Sequence, residues 1–320
     1  MAVPAATISM DWKEELALIV RDRDTSASKL RFDEPLGKHT YFGIGGAAAA
    51  YVEVGTIGEL AAIAQQKKRW RVPVAIVGRG SNLLISDAGY RGIVIRLVGE
   101  FDQLEFEGNR VRAGSGVSLP RLSKTAARHG LGGVEFALGI PGSVGGALIM
   151  NAGAWGSSFG DLVEHVQVMT DDAEQINLSH DDAKFGYRHS GLDAYFCATS
   201  AMLYLTPGDV EKITDLMQDL YNKKISSQPF AEENAGCMFK NPPGQSAGKL
   251  IDECGLKGTR IGGAEVSSIH GNFILNIDNA TAQDVLDLVH HIQTCVKRTK
   301  GVDLEMEVKR LGFADGTMER

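Results

Sequence analysis

Apolar residues recur along this chain with two different periods, and the change of period predicts the order of its elements. Helical spacing predicts a lead-in helix over Asp11 to Arg23, and a capping-box pattern at Thr56 to Glu59 opens a second helix through Trp70. Short apolar runs at Ala49 to Val54 and at Val74 to Val77 predict strands on either side of the second helix. The first hundred residues therefore contain a β-α-β unit.

The next hundred residues alternate between apolar and polar positions and are rich in turn signals. Leu104 to Gly116 predicts a hairpin with its turn at Gly108, and Ser118 is placed to cap a helix that ends at Gly130. Further strands are predicted at Val163 to Met169 and at Ala201 to Thr206. This β-rich pattern with few helices does not fit a doubly wound fold.

The stretch from Leu138 to Phe159 holds six glycines, one proline and no charged residue. Each interior glycine costs a helix roughly 1 kcal/mol, and glycine weakens a strand as well. We therefore predict a loop. Its bare N–H groups would suit a phosphate or a flat ring, although a cluster of turns between buried strands is the alternative.

Pro207 and Gly208 mark the clearest boundary in the chain. Beyond them, apolar spacing predicts helices that begin at Asp209, Ser246 and Thr281.

Alternation then predicts a last strand over Val302 to Leu311. We divide the chain into a lead-in over residues 1–38, a region over 39–207 with subdomains at about 39–98 and 99–207, and an α+β unit over 208–320.

Composition favours a small-molecule partner. The 320 residues carry a net charge of −7 without a long basic run, so no nucleic-acid partner is expected. No run of 18 apolar residues predicts a membrane span, and no obligate protein partner is evident. The four cysteines lack metal-ligand spacing, which favours reduced thiols in a cytoplasmic protein.

One motif imitates a dinucleotide-binding turn. Gly78 and Gly80 follow a predicted strand, and Glu100 lies at a suitable distance. The fingerprint needs a third glycine and a helix, but the third position is Leu83 and a strand follows. A Rossmann fold is therefore not predicted.

Seven blocks of sequence carry a resemblance to one family. They are HTYFGIGG at 39–46, GRGSNLLISD at 78–87, GIPGSVGGALIMNAGAWG at 139–156, FGYRHS at 185–190, AGCMFKNP at 235–242, SAGKLIDECGLKGTRIGGAEVSSIHGNFILN at 246–276 and LEMEVKRLG at 304–312. In this order they resemble the UDP-N-acetylenolpyruvoylglucosamine reductases of bacterial cell-wall synthesis.

The resemblance implies an α+β fold in which residues 39–207 form a two-part FAD-binding region of the p-cresol methylhydroxylase and vanillyl-alcohol oxidase type. A C-terminal substrate domain would follow. It also implies non-covalent FAD, NADPH as co-substrate and a UDP-sugar as substrate. Hydride would pass from FAD to an enolpyruvyl ether, which accepts it because a carboxylate is conjugated to the double bond.

The resemblance also implies a set of cofactor contacts in three glycine-rich segments. In the first segment they are Gly78, Arg79, Gly80, Ser81, Asn82 and Leu83. In the second they are Ile140, Pro141, Gly142, Ser143, Val144, Gly145 and Gly146, and the flavin ring is expected against Asn151, Ala152 and Gly153. Backbone N–H groups and two serine hydroxyls would hold the diphosphate.

Three residues match the family's catalytic positions. Arg188 would clamp the substrate carboxylate, and Glu307 would share a hydrogen bond with the enolate, which implies a raised pKa. Alternation alone does not separate Glu307 from Glu305. Without the motif, Arg188 would be interpreted as a surface residue.

Cys237 departs from the family, which usually has serine as the proton donor at this position. A thiol keeps the donor provided that it stays protonated, so we expect no nearby cation to lower its pKa. The alternative is that Cys237 is a small buried hydrophobic residue.

Tyr187, Lys224 and Asn241 are further predicted substrate contacts. The short interval between Arg188 and Cys237 resembles the family's shorter type, which lacks the loop that folds a tyrosine over the substrate. The group that covers the substrate is left open. His270, as a lone histidine, is interpreted as structural and is left out of the site.

Two other functions compete with this interpretation. An FAD-dependent sugar or aldonolactone oxidase on the same scaffold would share the glycine loops but would need neither the 235–242 block nor the 304–312 block. A catalytically inert nucleotide-binding protein would not need Arg188 and Glu307.

Overall fold

The computed structural model describes residues 11–20 and 27–314, and its first part is built on a four-stranded sheet. Its elements are α1 (Trp12–Ile19), β1 (Lys29–Pro35), β2 (Ala47–Val54), α2 (Ile57–Trp70), β3 (Val74–Val77), β4 (Leu83–Ile85) and β5 (Tyr90–Leu97). The sheet order is β1-β2-β5-β3, in which β1 runs antiparallel to β2 and the other pairs are parallel. The predicted β-α-β unit is confirmed.

The start of α2 is specified locally. The Thr56 hydroxyl accepts from the N–H of Glu59 at 3.2 Å, and the Glu59 carboxylate accepts from the N–H of Thr56 at 3.2 Å. This capping box satisfies helix donors that would otherwise lack partners. The lead-in helix is confirmed over Trp12–Ile19, whereas its predicted end at Arg23 lies outside the described residues.

The second part contains a five-stranded antiparallel sheet, whose strands in spatial order are Gln175–Ser179, Val163–Met169, Cys197–Tyr204, Arg110–Gly114 and Leu104–Glu107. Its elements are β6 (Leu104–Glu107), β7 (Arg110–Gly114), α3 (Leu119–Arg128), β8 (Leu131–Gly132), α4 (Val144–Met150), β9 (Gly153–Ala154), β10 (Ser157–Ser158), β11 (Val163–Met169), β12 (Gln175–Ser179), α5 (His180–Ala183), β13 (Cys197–Tyr204) and β14 (Thr206–Pro207). The predicted hairpin and the helix capped by Ser118 are both present.

The predicted loop over Leu138 to Phe159 is wrong in its centre, where α4 forms. Ser143 caps this helix, and Asn151 ends it in the left-handed conformation at φ 40°. The N–H of Gly145 donates to the carbonyl of Ser115 at 2.9 Å, and a Cβ at Gly145 would lie 3.0 Å from the Cβ of Ser115. This close approach between helix and loop favours glycine, so packing overrides the low helix propensity.

The third part holds α6 (Val210–Ser227), α7 (Ala247–Glu253), β15 (Arg260–Ile261), β16 (Ala264–Val266), β17 (Ile274–Asn276), α8 (Ala282–Lys300) and β18 (Lys309–Leu311). The predicted caps Asp209, Ser246 and Thr281 each accept a hydrogen bond from their helix. However, Ile213 and Met217 of α6 pack against Ala127 and Leu138 of the second part. The boundary at residue 208 stays a prediction.

The predicted strand over Val302 to Leu311 is wrong for most of its length, since only Lys309–Leu311 is a strand. Before it, the chain pairs with a loop: Lys240 donates its N–H to Glu305 at 2.8 Å, and Glu307 donates its N–H to Met238 at 2.8 Å. The apolar side of the predicted alternation holds, because Leu304 and Val308 are buried, whereas Glu307 on the opposite side is only 13% exposed. Met306 forms only an isolated β-bridge with Phe239, so residues 302–308 have no continuous β-ladder.

Two contacts join the third part to the first. β18 pairs in parallel with β4, and the Asp87 carboxylate accepts from the N–H groups of Ala282 at 2.9 Å and Gln283 at 3.3 Å. The first part thus caps the N-terminus of α8.

The cysteines, all of which lie within the described residues, form no disulfide bond. Within residues 11–20 and 27–314, no helix combines the length and apolar character needed to cross a membrane.

We expect Asp87→Ala to lower the free energy of unfolding by about 1 kcal/mol, because two N–H groups of α8 lose their acceptor. Urea unfolding followed by circular dichroism measures this change. Asp172→Ala is the control, since Asp172 only pairs with Lys68 on the surface and its loss should leave the unfolding midpoint nearly unchanged. Equal losses in the two variants would contradict the capping role.

Candidate active site

A loop with unused backbone donors connects β3 to β4. The N–H groups of Arg79, Gly80, Ser81 and Asn82 donate to no acceptor within the described part of the chain. Gly80 has φ +69°, and a side chain there would collide with the carbonyl of His39. Glycine is therefore required at position 80 for this loop to keep its conformation.

A second loop, which precedes α4, faces the first. A Cβ on Gly78 would lie 2.5 Å from the Ser143 hydroxyl, and one on Gly142 would lie 3.8 Å from the Ser81 hydroxyl. The N–H groups of Gly142 and Ser143 also have no acceptor among the residues described. Together the loops present six backbone donors, an arrangement that fits a diphosphate.

Other residues predicted to contact the cofactor already use their polar groups internally. Val144 donates its N–H to Val117, Gly145 donates to Ser115, and Gly146 donates to its own helix cap. Leu83 and Val144 have buried side chains, while Ile140 packs at the edge of the core. Near the second loop, the available backbone donors are thus those of Gly142 and Ser143.

Arg79 lends positive charge to the first loop. With Lys38 and Arg96 it lines a cavity of about 150 Å³. A cavity of this charge suits an anionic group.

Asn151 has a bracing role in this structure. Its side-chain oxygen accepts from the N–H of Gly160 at 2.7 Å, and its amide nitrogen donates to the carbonyl of Gly186 at 3.0 Å. The second contact holds the tight turn in which Arg188 has φ +55°.

Arg188 and Glu307 form the central ion pair of the site. The Nε of Arg188 donates to Oε1 of Glu307 at 2.8 Å, and one of its Nη atoms donates to the carbonyl of Gly153 at 3.3 Å. The side chains are only 22% and 13% exposed, respectively. The guanidinium is thereby oriented beside the segment predicted to hold the flavin ring.

The structure separates the two glutamates that alternation leaves equivalent. Glu305 is 72% exposed and pairs with Lys240 at 2.6 Å. Glu307 faces Arg188, and burial raises the pKa of its carboxyl although Arg188 and Lys240 act in the opposite direction. The raised pKa agrees with the expectation for a hydrogen-bonding catalytic carboxyl.

Cys237 lies beside this ion pair. Burial, assisted by the charge of Glu307, raises the pKa of the thiol to about 12, so it stays protonated at neutral pH. Lys224 and Arg188 are close enough to lower that pKa, which corrects the expectation of no nearby cation. Their effect is smaller than that of burial.

Lys224 reaches the site from the last turn of α6. A Cβ on Gly139 would lie 2.7 Å from Cδ of Lys224, so the lysine stem lies directly over this glycine. Burial lowers the pKa of Lys224 to about 8, with a further lowering by Arg188 and a raising effect of Cys237. The ammonium form still predominates at neutral pH.

Tyr187 and Asn241 lie together at the outer side of the site. The Tyr187 hydroxyl accepts from the N–H of Asn241 at 3.2 Å, and the tyrosine side chain is exposed. The Asn241 side-chain oxygen accepts from Ala247 at 2.9 Å and so supports the start of α7. Tyr187 thus presents an exposed ring, and Asn241 has a bracing contact.

Sequence reasoning missed Gly139 and Asn272. Gly139 leaves room for the side chain of Lys224, and buried Asn272 contacts the segment after Cys237. Both lie in the recognised blocks, but single-residue properties do not distinguish them from their neighbours.

Comparison with known proteins identifies relatives over nearly the whole chain. A family model described as UDP-N-acetylenolpyruvoylglucosamine reductase, C-terminal domain, matches residues 228–311, and one described as FAD binding domain matches residues 48–179. UDP-N-acetylenolpyruvoylglucosamine reductase 2 of Symbiobacterium thermophilum is 43% identical over 300 residues, which are 93% of this chain and 96% of the relative. The reductase of Alkaliphilus metalliredigens is 44% identical over 281 residues, 88% of this chain and 92% of the relative.

A solved structure gives the same result. The crystal structure of UDP-N-acetylenolpyruvylglucosamine reductase from Thermus caldophilus superposes with a TM-score of 0.77 at 39% identity, covering 89% of this chain and 99% of that chain. The predicted α+β fold class and the predicted FAD-binding region are confirmed by these matches. The roles of individual site residues stay predictions.

Gly80→Ala is expected to yield protein that does not retain flavin, because a methyl group would be forced against the His39 carbonyl in the donor loop. The ratio of flavin to protein absorbance after purification measures retention. Gly108→Ala is the matched control, since φ there is +57° with nothing within 4 Å. It should cost only the left-handed backbone strain of about 1 kcal/mol and keep its flavin. Normal flavin content in G80A would contradict the assignment of the loop.

Proposed function

Because this chain belongs to the UDP-N-acetylenolpyruvoylglucosamine reductase family, we propose that it reduces the enolpyruvyl ether of UDP-N-acetylglucosamine to UDP-N-acetylmuramate with NADPH as electron donor. The chain is an FAD-dependent oxidoreductase of peptidoglycan precursor synthesis, since an FAD-binding domain and relatives over nearly its full length match it. When bound, FAD would supply the hydride chemistry that links NADPH to the terminal carbon of the enolpyruvyl group.

The six backbone donors of residues 79–82 and 142–143 would hold the cofactor diphosphate without a covalent bond. Their positions are fixed by the β3–β4 connection and by the start of α4. The Gly153 carbonyl orients Arg188 toward the neighbouring ring segment.

Arg188 binds the substrate carboxylate. A guanidinium has five N–H donors, and those beyond the contacts to Glu307 and Gly153 are available to a second carboxylate. Charge grows on the substrate carboxylate when hydride reaches the conjugated double bond. A fixed guanidinium stabilises that charge more in the transition state than in the ground state.

Cys237 supplies the proton to the adjacent carbon. Its raised pKa, about 12, keeps the proton on sulfur until the enolate forms. Proton transfer leaves a thiolate, which the nearby charges of Lys224 and Arg188 stabilise. Glu307, hydrogen-bonded to Arg188, keeps the guanidinium in place and hydrogen-bonds the enolate when protonated.

The convergence of Arg188, Glu307, Cys237 and Lys224 at one site supports this function most strongly. These residues come from different parts of the chain, and a flavin-dependent oxidase would have no use for a thiol that is kept protonated. We further propose that the enzyme acts in the cytoplasm on a UDP-sugar, without a nucleic-acid or membrane partner. The net charge of −7 and the absence of disulfides among the four cysteines support that setting.

The purified holoenzyme is expected to show a flavin spectrum that NADPH bleaches and the enolpyruvyl substrate restores under anaerobic conditions. A spectrophotometric titration tests both steps. Bleaching by a sugar or an aldonolactone, with reoxidation by oxygen alone, would favour the oxidase. A protein without flavin, or one that NADPH does not bleach, would contradict the proposed function.

Cys237→Ser should retain substantial turnover because a hydroxyl also donates a proton. Cys237→Ala should slow flavin reoxidation by the substrate by roughly 100-fold or more, the usual contribution of general acid catalysis. Reduction by NADPH should be unchanged in both variants. Stopped-flow measurement of the two half-reactions checks this, and equal reoxidation rates in C237A and wild type would remove Cys237 from the mechanism.

A further inference from the structure

Asn272 is a buried polar residue to which the proposed mechanism assigns no task. It is 3% exposed and precedes β17, opposite the segment that carries Cys237. Its three contacts with that segment are specific. Oδ1 accepts from the N–H of Phe239 at 2.9 Å, Nδ2 donates to the carbonyl of Phe239 at 2.8 Å, and its main-chain oxygen accepts from Met238 at 2.8 Å.

An amide matches this pair of backbone groups, because it accepts from an N–H and donates to a carbonyl at once. A carboxylate in the same place would face the Phe239 carbonyl with a second acceptor. The Phe239 partners also fix which side-chain atom is oxygen and which is nitrogen. Asn272 therefore holds the main chain just after Cys237, where no continuous β-ladder does so.

The amide has one donor left. Nδ2 carries two protons, and the contact to Phe239 uses one of them. The Cys237 thiol, whose pKa is raised mainly by burial, receives an opposing, lowering contribution from a hydrogen bond with Asn272. The second proton of Nδ2 is thus positioned to support negative charge on the sulfur.

The main chain of Asn272 is held in turn by His270. Its main-chain N–H donates to Nδ1 of His270 at 3.1 Å, so a neutral His270 carries its proton on Nε2. Burial lowers the pKa of His270, which favours the neutral ring. A Cβ on Gly248 would lie 2.7 Å from that ring, so the imidazole rests directly on α7.

We propose that Asn272 is a positioning residue that holds Cys237 in line for proton transfer to the substrate carbon and hydrogen-bonds the thiolate that remains. In this step the S–H bond breaks, a C–H bond forms on the enolate carbon, and the sulfur keeps the electron pair until water reprotonates it. The proposal rests on the proposed function, in which Cys237 is the donor.

The test is a double-mutant cycle on the holoenzyme, read by stopped flow in both half-reactions. Asn272→Ala should slow reoxidation by substrate about tenfold or more, the effect of one lost hydrogen bond to a charged group, and leave reduction by NADPH unchanged. In the Cys237→Ala background it should slow reoxidation no further, because the group it positions is gone. Additive losses would overturn the proposal.

Asn276→Ala is the matched control. The amide of Asn276 also braces backbone, donating to the Phe42 carbonyl at 3.1 Å and accepting from Ala280 at 2.7 Å. Its remaining side-chain contact is to the Glu233 carboxylate at 2.8 Å, whereas Asn272 contacts Met238 and Phe239. Its loss should lower the melting temperature without slowing reoxidation. Slowing equal to that of N272A would mean that loss of bracing alone explains the effect.

Asn272→Asp keeps the size of the side chain if the alanine variant fails to fold. Its carboxylate cannot donate a hydrogen bond, whereas its protonated form can. The rate of reoxidation in N272D should therefore rise as the pH falls from 8 toward ~5.5, because the protonated fraction of the carboxyl grows as the pH approaches its pKa. A pH profile parallel to wild type would overturn the proposal. If C237A itself reoxidises at the wild-type rate, the donor assignment fails; if C237A is slow and N272A is normal, only the inference about Asn272 fails.

Discussion

The parallel pairing of Lys309–Leu311 with Leu83–Ile85 is the constraint on which the site depends. It brings the end of the chain back to the first part, beside the loop that presents unused N–H groups. Glu307 lies just before this pairing, and its main-chain oxygen accepts from the Asn82 side chain at 3.3 Å. Its N–H donates to Met238, next to Cys237. One short segment therefore sets the cofactor loop, the proton donor and the carboxylate relative to one another.

Charge within this site is balanced by burial as much as by pairing. Burial raises the pKa of Glu307 and of Cys237, and it lowers the pKa of Lys224 to about 8. Each shift favours the neutral form, as desolvation requires. The Arg188 guanidinium pairs with Glu307 at 2.8 Å. The site thus holds a fixed cation for a substrate carboxylate and a neutral acid for the carbon beside it.

Much of the fold could be predicted because its signals are local. Helix α2 begins at the capping box of Thr56 and helix α8 at that of Thr281, and α8 ends at Gly301. Each of these signals lies at the end of the helix that it specifies. The helix α4 could not be predicted, because Gly145 is needed for its close contact with Ser115, which lies in another loop. Distant contact likewise decides that Glu307 is buried against Arg188 while Glu305 is exposed. The catalytic positions came from motif resemblance, and Asn272 was missed because its role depends on a partner segment.

The central claim is that the returning C-terminal segment places the Glu307 carboxyl, and not that of Glu305, in the reaction. The direct measurement is kcat of Glu307→Gln against kcat of Glu305→Gln, with flavin content and melting temperature recorded for both. We predict that E307Q loses roughly 100-fold or more in kcat, the usual scale for loss of an acid–base group, while E305Q stays within a few-fold of wild type. Equal kcat values for the two variants would contradict the account.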